Sequence, residues 1–256
     1  IKYWLVLLGG MAGFTSVVKK VIDRADVILE VVDARFIDET SNSEIEARVK
    51  RNGRILIKVI NKCDYVDKDI LDEVKKKYEH CVFISAKNHH GINLLKTKIK
   101  KLAAARRKNM PLVGVLGYPN VGKSSIINVL KGKSSARTSS EAGFTKGAQY
   151  LRVKNDFLMI DTPGVISRGE TDDEELVLVG AKNPSSIDDP DLAVMTLMKR
   201  YPGLIEESYG VEVKKDKEEV IVDIALKLNF KKKGDLPDIA RASRKILKDW
   251  IDGNIK

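Results

Sequence analysis

The nine residues GYPNVGKSS, Gly117 to Ser125, have the types and spacing that chemistry on a phosphate requires. They fit G-x-x-x-x-G-K-[ST], in which flexible glycines let successive backbone N–H groups curl around phosphate oxygens while the N-terminus of a following helix adds its positive end. In such a loop Pro119, Asn120, Val121, Gly122 and Ser125 surround the phosphates, Lys123 reaches the β- and γ-phosphates, and Ser124 ligates magnesium. A glycine turn with a solvated lysine is the bland alternative. The setting argues against it, because LVGVL before the loop is a buried-strand run and IINVLK after it has helical spacing.

Three further groups suit the same chemistry. Asn61-Lys62-Cys63-Asp64 follows the apolar run RILIKVI, and a carboxylate fixed there accepts hydrogen bonds from both N1–H and the exocyclic amine of guanine, a pattern adenine cannot donate. One strand and one helix later come Ser85, Ala86 and Lys87, the pattern that packs a backbone amide against the guanine carbonyl oxygen. Alone each is a strand-end turn; together they select a base. Downstream, Asp161-Thr162-Pro163-Gly164 ends the strand-like DFLMID, so that Asp161 holds magnesium through water and the Gly164 amide bonds the γ-phosphate. Between the phosphate loop and this segment lies KGKSSARTSSEAGFTKG, too long for an ordinary connection. Thr145 is its candidate for the hydroxyl that closes onto magnesium and the γ-phosphate, with Thr138 as competitor. Lys123, Thr145 and Gly164 are thus the catalytic candidates.

Elements must bring these groups together. Residues 13–24 read as an amphipathic helix, DVILEVVD as a buried strand ending in Asp33-Ala34-Arg35, Ser43 to Arg51 as a helix, and RILIKVI as the next strand. This alternation predicts an α/β fold with a parallel sheet covered on both faces. AQYLRV and DFLMID read as adjacent strands. A helix is predicted over 92–108, and the tail reads as helical from Asp189-Pro190, over Asp216 to Leu228, and from Ile239 to Ile251. The predicted organisation is a nucleotide domain over 1–168 and a smaller helical domain over 169–256.

The 256 residues carry a formal charge of +10. Lys and Arg outnumber Asp and Glu by 31 to 17 over residues 1–168, and fall short by 15 to 19 over 169–256. A polyanionic partner therefore suits the first part wholesale. In the tail, Arg241, Arg244, Lys245 and Lys248 fall at i, i+3, i+4 and i+7, one helical side able to meet RNA. The cations along 92–108 are a second candidate. Two cysteines, Cys63 and Cys81, are too few for a disulfide framework and fit a reducing cytoplasm, although one bridge between them stays open. His80, His89 and His90 read as solvent-exposed loop residues without metal-ligand spacing. YWLVLL near the start is too short to span a bilayer and reads as buried packing.

Taken together, GYPNVGKS, Thr145, DTPG, NKCD and SAK resemble the motifs of translation-factor-related GTPases in a changed order, base recognition preceding phosphate binding. That order is similar to a circularly permuted GTPase, and VDAR, P-N-V-G-K-S and the helical tail resemble the YlqF/RbgA branch concerned with large-ribosomal-subunit assembly. GDLPDIARASRKILKDWIDGNIK is similar to the end of archaeal and eukaryotic nucleolar members. The resemblance implies a P-loop GTPase binding GTP or GDP with magnesium, slow to hydrolyse alone, and partnered by ribosomal RNA or a large-subunit precursor, with no membrane. The wording around Asn120 also resembles potassium-stimulated GTPases, which implies that Asn120 helps hold a potassium ion against the phosphates, the bland alternative being an asparagine that only caps the loop. Three departures accompany it: Ile37 where members often have proline, Gly10 where a histidine often precedes Met-Ala, and Val165 where Ras-like enzymes have glutamine. Two alternatives remain, a GTP-regulated RNA-binding module with negligible hydrolysis and a permuted GTPase acting on another RNA.

Overall fold

The computed structural model describes residues 18–132, 149–161, 177–180 and 182–255, with the backbone alone for Gln149 and Asp161. The chain falls into two compact units that divide between residues 169 and 170.

The first unit is built on a six-stranded sheet of β1 (Val27–Asp33), β2 (Ile55–Asn61), β3 (Cys81–Ile84), β4 (Leu112–Leu116), β5 (Gln149–Val153) and β6 (Phe157–Asp161), in the order β3-β2-β1-β4-β6-β5. All neighbours are parallel except β5, which forms an antiparallel pair with β6. Central β1 is buried along its whole length, because helices cover both faces and leave no side for water. Val27, Leu29 and Val31 pack towards α5 (Ile92–Ala104) and α6 (Lys123–Lys131), through Leu95, Ile99, Ile126 and Leu130. On the other face Ile28 meets α1 (18–24) and α3 (Ser43–Arg51) through Val21, Ile22, Ile45 and Val49. Short α2 (Ile37–Thr40) and α4 (Lys68–Lys77) are the other α-helices among the described residues of the unit, with Ile37 and Val74 packed on Val32 and Ile60.

A pair of opposite charges interrupts the middle of this apolar sheet. Glu30 and Lys58 are opposite one another in the β1–β2 register, 1% and 2% exposed, with Lys58 Nζ 3.3 Å from Glu30 Oε2 and 2.5 Å from Glu46 Oε1. The Lys58 ammonium also donates to Ser41 Oγ and lies 4.4 Å from the centre of the Tyr78 ring, while Glu30 Oε1 accepts from the Asn42 N–H that opens α3. Burial pushes the Glu30 carboxyl up to about 7 against the pull of Lys58.

The topology places the ends that matter. From β1 the chain moves outward to β2 and β3, then returns through α5 to β4 on the other side of β1. Strand order therefore reverses between β1 and β4, and ligands of open α/β sheets bind outside the carboxyl ends at such a reversal. Asp33, Asn61 and Ile84 are register partners at that edge.

Helix α5 is shorter than the 92–108 that periodicity predicts. It stops at Ala104 because Arg107 turns into the left-handed region at φ 57° and the Lys108 N–H folds back onto Ala103 O. The beginning of the helix predicted from residue 13, the YWLVLL segment, and the departures at Gly10 and Val165 lie outside the described residues.

The second unit is helical among its described residues: α7 (Pro190–Arg200), α8 (Leu204–Tyr209), α9 (Lys217–Lys227) and α10 (Ile239–Asp252). Pro190 opens α7, where a missing N–H costs no helical bond. Val194, Leu197 and Met198 of α7, Val220, Ile221 and Ile224 of α9, and Ile246, Leu247 and Trp250 of α10 are buried. The Trp250 indole donates to Leu178 O at 2.9 Å. Helix α8, between Gly203 and Gly210, is an addition to the helices that apolar spacing predicts.

Candidate nucleotide-binding site

Strand β4 runs directly into the loop 117–122, and α6 starts at Lys123. Two glycines in it have no substitute. Gly117 has φ +144°, and a Cβ there would lie 2.3 Å from Val31 O. Gly122 has φ +98°, and a Cβ would lie 2.1 Å from the Asn61 amide nitrogen. Between them Asn120 also takes positive φ, 57°. Positive φ at these loop positions is compatible with a backbone that curls its N–H groups around an anion.

Lys123 is buried to 9% exposure, donating to Gly117 O at 2.8 Å and to Tyr118 O. Burial lowers its ammonium to about 8. No described carboxylate neutralises it, so the loop holds a partly desolvated cation aimed back over its own backbone, a fit for phosphate charge. Ser124 and Ser125 are exposed in the first turn of α6. Pro119 is half-buried and Val121 fully buried.

The two turns expected to recognise a base reach this loop through one side chain. Asn61, 2% exposed at the end of β2, donates from Nδ2 to Val121 O at 2.8 Å and accepts at Oδ1 from the Ala86 N–H at 3.1 Å. Both ends of its amide are thus occupied by the chain, and Asn61 acts on a ligand through the two loops it ties together. Sequence spacing alone does not reveal this, since the partners are 60 and 25 residues away. Ser85 is buried, its hydroxyl accepting from the Asn88 N–H at 3.2 Å, and Lys87 is exposed. After Asn61, Lys62 adopts the left-handed conformation and a short 3-10 turn spans Cys63–Tyr65. Asp64, in that turn, is exposed, and no described group makes a hydrogen bond or ion pair with its carboxylate. A carboxylate presented so is ready for an external pair of donors.

Asp161 ends β6 in the sheet, but its side chain lies outside the described residues, as do Thr138, Thr145 and Gly164. Pro119, Asn120, Val121, Gly122, Lys123, Ser124 and Ser125 are therefore brought to one edge with Asn61, Lys62, Asp64, Ser85, Ala86 and Lys87.

Other candidates fare unequally. Of the tail cations, Arg241 lies 4.2 Å from the centre of the Phe230 ring and Lys245 pairs with Asp249, which Tyr209 also holds at 2.6 Å. Arg244 and Lys248 have no partner among the described residues. Around 92–108, Lys98 donates to Cys81 O, Lys100 pairs with Asp156 at 2.8 Å, and Lys108 pairs with Asp26 at 3.1 Å, so part of that charge serves the fold. Cys63 and Cys81 are free thiols, which closes the question of a bridge. His89 and His90 are exposed and His80 half-buried, and no group of potential metal ligands forms among the described residues. None of the described helices is long and apolar enough to cross a membrane.

Comparison with known proteins agrees with this geometry. Residues 112–227 match the family model described as 50S ribosome-binding GTPase. That match starts at β4, leaving the base-recognition turns ahead of it. A GTP-binding protein of Methanocaldococcus jannaschii is 40% identical over 94% of this chain and 65% of its own. Nucleolar GTP-binding protein 2 of Neurospora crassa is 31% identical over 92% of this chain and 40% of its own. The chain thus spans less than two thirds of the length of these relatives. The structure of GNP-bound YlqF from T. maritima superposes with a TM-score of 0.68 at 26% identity, covering 93% of this chain and 92% of that one. With the loop 117–122 entering from β4 after the NKCD and SAK turns have already been laid down on β2 and β3, the order of the chain is similar to that of the circularly permuted GTPases of the YlqF type.

Proposed function

We propose that this protein is a GTP-binding and GTP-hydrolysing switch that acts in assembly of the large ribosomal subunit through ribosomal RNA or a subunit precursor. The observation that carries the nucleotide half is the Asn61 clamp, which ties a phosphate loop to two base-recognition turns and leaves the Asp64 carboxylate exposed and unpartnered among the described residues. Asp64 accepts from guanine N1–H and the exocyclic amine, with Ala86 and Lys87 bordering the base. The loop N–H groups and Lys123 bind and orient the β- and γ-phosphates, and the Lys123 ammonium neutralises charge that grows in the transition state.

Ser124, Thr145 and Asp161 would hold magnesium. Bound there, the ion supplies neutralisation of the phosphate oxygens. Asn120, already in positive φ, would help hold potassium, supplying charge where other GTPases use an arginine finger. Gly164 and Thr145 would sense the γ-phosphate. In the permuted order the segment after Gly164 leads into residues 169–256, so loss of that contact on hydrolysis would alter how the tail domain is held.

Support for the ribosomal half comes from the ribosome-binding description of the matching family and the nucleolar names of relatives, together with the +14 balance of residues 1–168. A reducing cytoplasm suits the two free thiols. The test is phosphate release from GTP with and without large-subunit particles, in potassium and in sodium at equal ionic strength. Slow turnover alone, raised by particles and higher in potassium, is expected. GTP binding with no turnover under any of these conditions would leave the second reading, a GTP-regulated RNA-binding module, which the apolar Val165 favours. Sedimentation of the tagged protein away from large-subunit particles would instead point to another RNA.

A further inference from the structure

The Asp33-Ala34-Arg35 segment has no part in the phosphate or base chemistry above, yet it is tied to both sides of Asp64. Asp33 closes β1 and is 0% exposed. Its carboxylate accepts four bonds: Oδ1 from the Arg35 N–H at 3.1 Å and Nε at 3.0 Å, and Oδ2 from Arg35 Nη2 at 2.9 Å and Lys62 Nζ at 2.7 Å. A carboxylate is not placed in a fully buried position at a sheet edge without partners of this strength, and here they come from two different segments.

Each partner leads to a neighbour of Asp64. Lys62, two residues before it, sits at φ 63° and ψ 31°, a left-handed conformation that disfavours a lysine and that sets the direction of the 3-10 turn Cys63–Tyr65. Its ammonium is anchored on Asp33. On the other side, the Arg35 guanidinium lies 5.1 Å from the centre of the ring of Tyr65, the residue directly after Asp64, and the same distance from that of Phe36. Asp64 is therefore bracketed by Lys62 and Tyr65, and both are held from one buried acid. Burial by itself would raise the Asp33 carboxyl, but Arg35 and Lys62 hold it below its usual range, so the anchor stays charged throughout the neutral range.

We propose that Asp33 is a positioning residue for guanine selectivity, fixing the Asp64 carboxylate through Lys62 and through Arg35 on Tyr65. This rests on the reading of Asp64 as the base selector. The readout is the ratio of dissociation constants for inosine diphosphate and GDP, since inosine lacks the amine that Asp64 accepts from while its phosphates are the same.

In the unaltered protein the ratio should be at least tenfold, and Asp64→Ala should bring it near one. Asp33→Asn keeps the shape and the Oδ1 acceptor but loses the charge that holds Lys62. It should lower the ratio several-fold, with GDP weakened much more than the inosine analogue. A ratio unchanged in Asp33→Asn, with both nucleotides weakened equally or only the melting temperature lowered, would overturn the proposal and leave Asp33 a structural acid. A ratio that Asp64→Ala does not move would instead sink the base-selector reading, and the two failures are thereby told apart. Should Asp33→Asn yield no folded protein, Arg35→Gln removes the cation between Asp33 and Tyr65. A several-fold drop of the same ratio in that variant would support the positioning role, and an unchanged ratio would overturn it.

Discussion

Replacing Asn61 with alanine removes both halves of the clamp between the phosphate loop and the base-recognition turns. The lost bonds are Asn61 Nδ2 to Val121 O at 2.8 Å and the Ala86 N–H to Asn61 Oδ1 at 3.1 Å. Val121 and Ala86 are 0% and 7% exposed, so water does not readily replace the missing partner at either end. A buried polar group stripped of its partner costs about 1–3 kcal/mol, and two such groups give roughly 2–6 kcal/mol. Against a typical domain stability of about 5–15 kcal/mol the variant should remain folded in most of that range. Urea unfolding without nucleotide reads the effect. With a slope of roughly 2 kcal/mol per molar, the midpoint should fall by about 1–3 M. In parallel, GDP affinity should drop at least tenfold, because the Val121 carbonyl and Ala86 amide are no longer held in one frame. Asn61→Asp keeps an acceptor for Ala86 but sets a carboxylate oxygen against Val121 O, so it should impair binding at least as severely. An Asn61→Ala protein with an unmoved urea midpoint and unchanged GDP affinity would refute the clamp.

Three further outcomes follow from the same structure. Lys58→Met leaves Glu30 buried without its cation and should cost about 3–5 kcal/mol, as broken buried pairs do. The sign with pH is set by Glu30: its folded value of about 7 lies above the unfolded one and rises further without Lys58, so stability is lost as pH climbs from about 4.5. Urea unfolding should therefore show the variant more impaired at pH 8 than at pH 5. Lys123, lowered to about 8 when free, is raised by bound phosphates, so nucleotide binding takes up a proton above that pH. GDP affinity measured from pH 7 to pH 9 should fall above pH 8, by up to about tenfold per unit, and Lys123→Met should abolish the trend. In the tail, Arg244→Gln with Lys248→Gln should reduce the salt slope of ribosomal RNA binding by roughly 1.5, at about 0.7–0.9 per phosphate contact. Neutralising Arg241 and Lys245, engaged with Phe230 and Asp249, should change it less.

What can be read from the chain, and what cannot, divides along local and distant interactions. LVGVL, RILIKVI and DVILEVVD announce buried strands by their apolar runs, and Ser43 to Arg51 is a helix in the structure with the same bounds as its spacing predicts. The loop 117–122 is legible because its motif is a spacing held within nine residues. The Asn61 clamp and the Asp33 anchor are not, since each joins segments that only the parallel register brings to one edge. A signal for the Glu30–Lys58 pair does exist: two opposite charges placed within otherwise apolar strands. Periodicity overshoots the end of α5 because lysines continue the helical pattern while Arg107 leaves helical backbone, a choice that apolar spacing does not encode. The tail stripe is legible as a helical face, but spacing cannot distinguish Lys245, bound to its own Asp249, from Lys248, which has no described partner.

We read this site as one that selects guanine through Asp64 and acts on its triphosphate. Exchange of Asp64 for asparagine tests it in one preparation, because xanthine presents a carbonyl oxygen where guanine presents an amine, and an amide can donate to it. Phosphate release is measured from GTP and from xanthosine triphosphate by the unaltered protein and by Asp64→Asn, at subsaturating nucleotide. The unaltered protein should prefer GTP and the variant should reverse the preference, with GTP affinity down by about 10²-fold. An Asp64→Asn protein that still binds and turns over GTP like the parent would remove Asp64 from base selection.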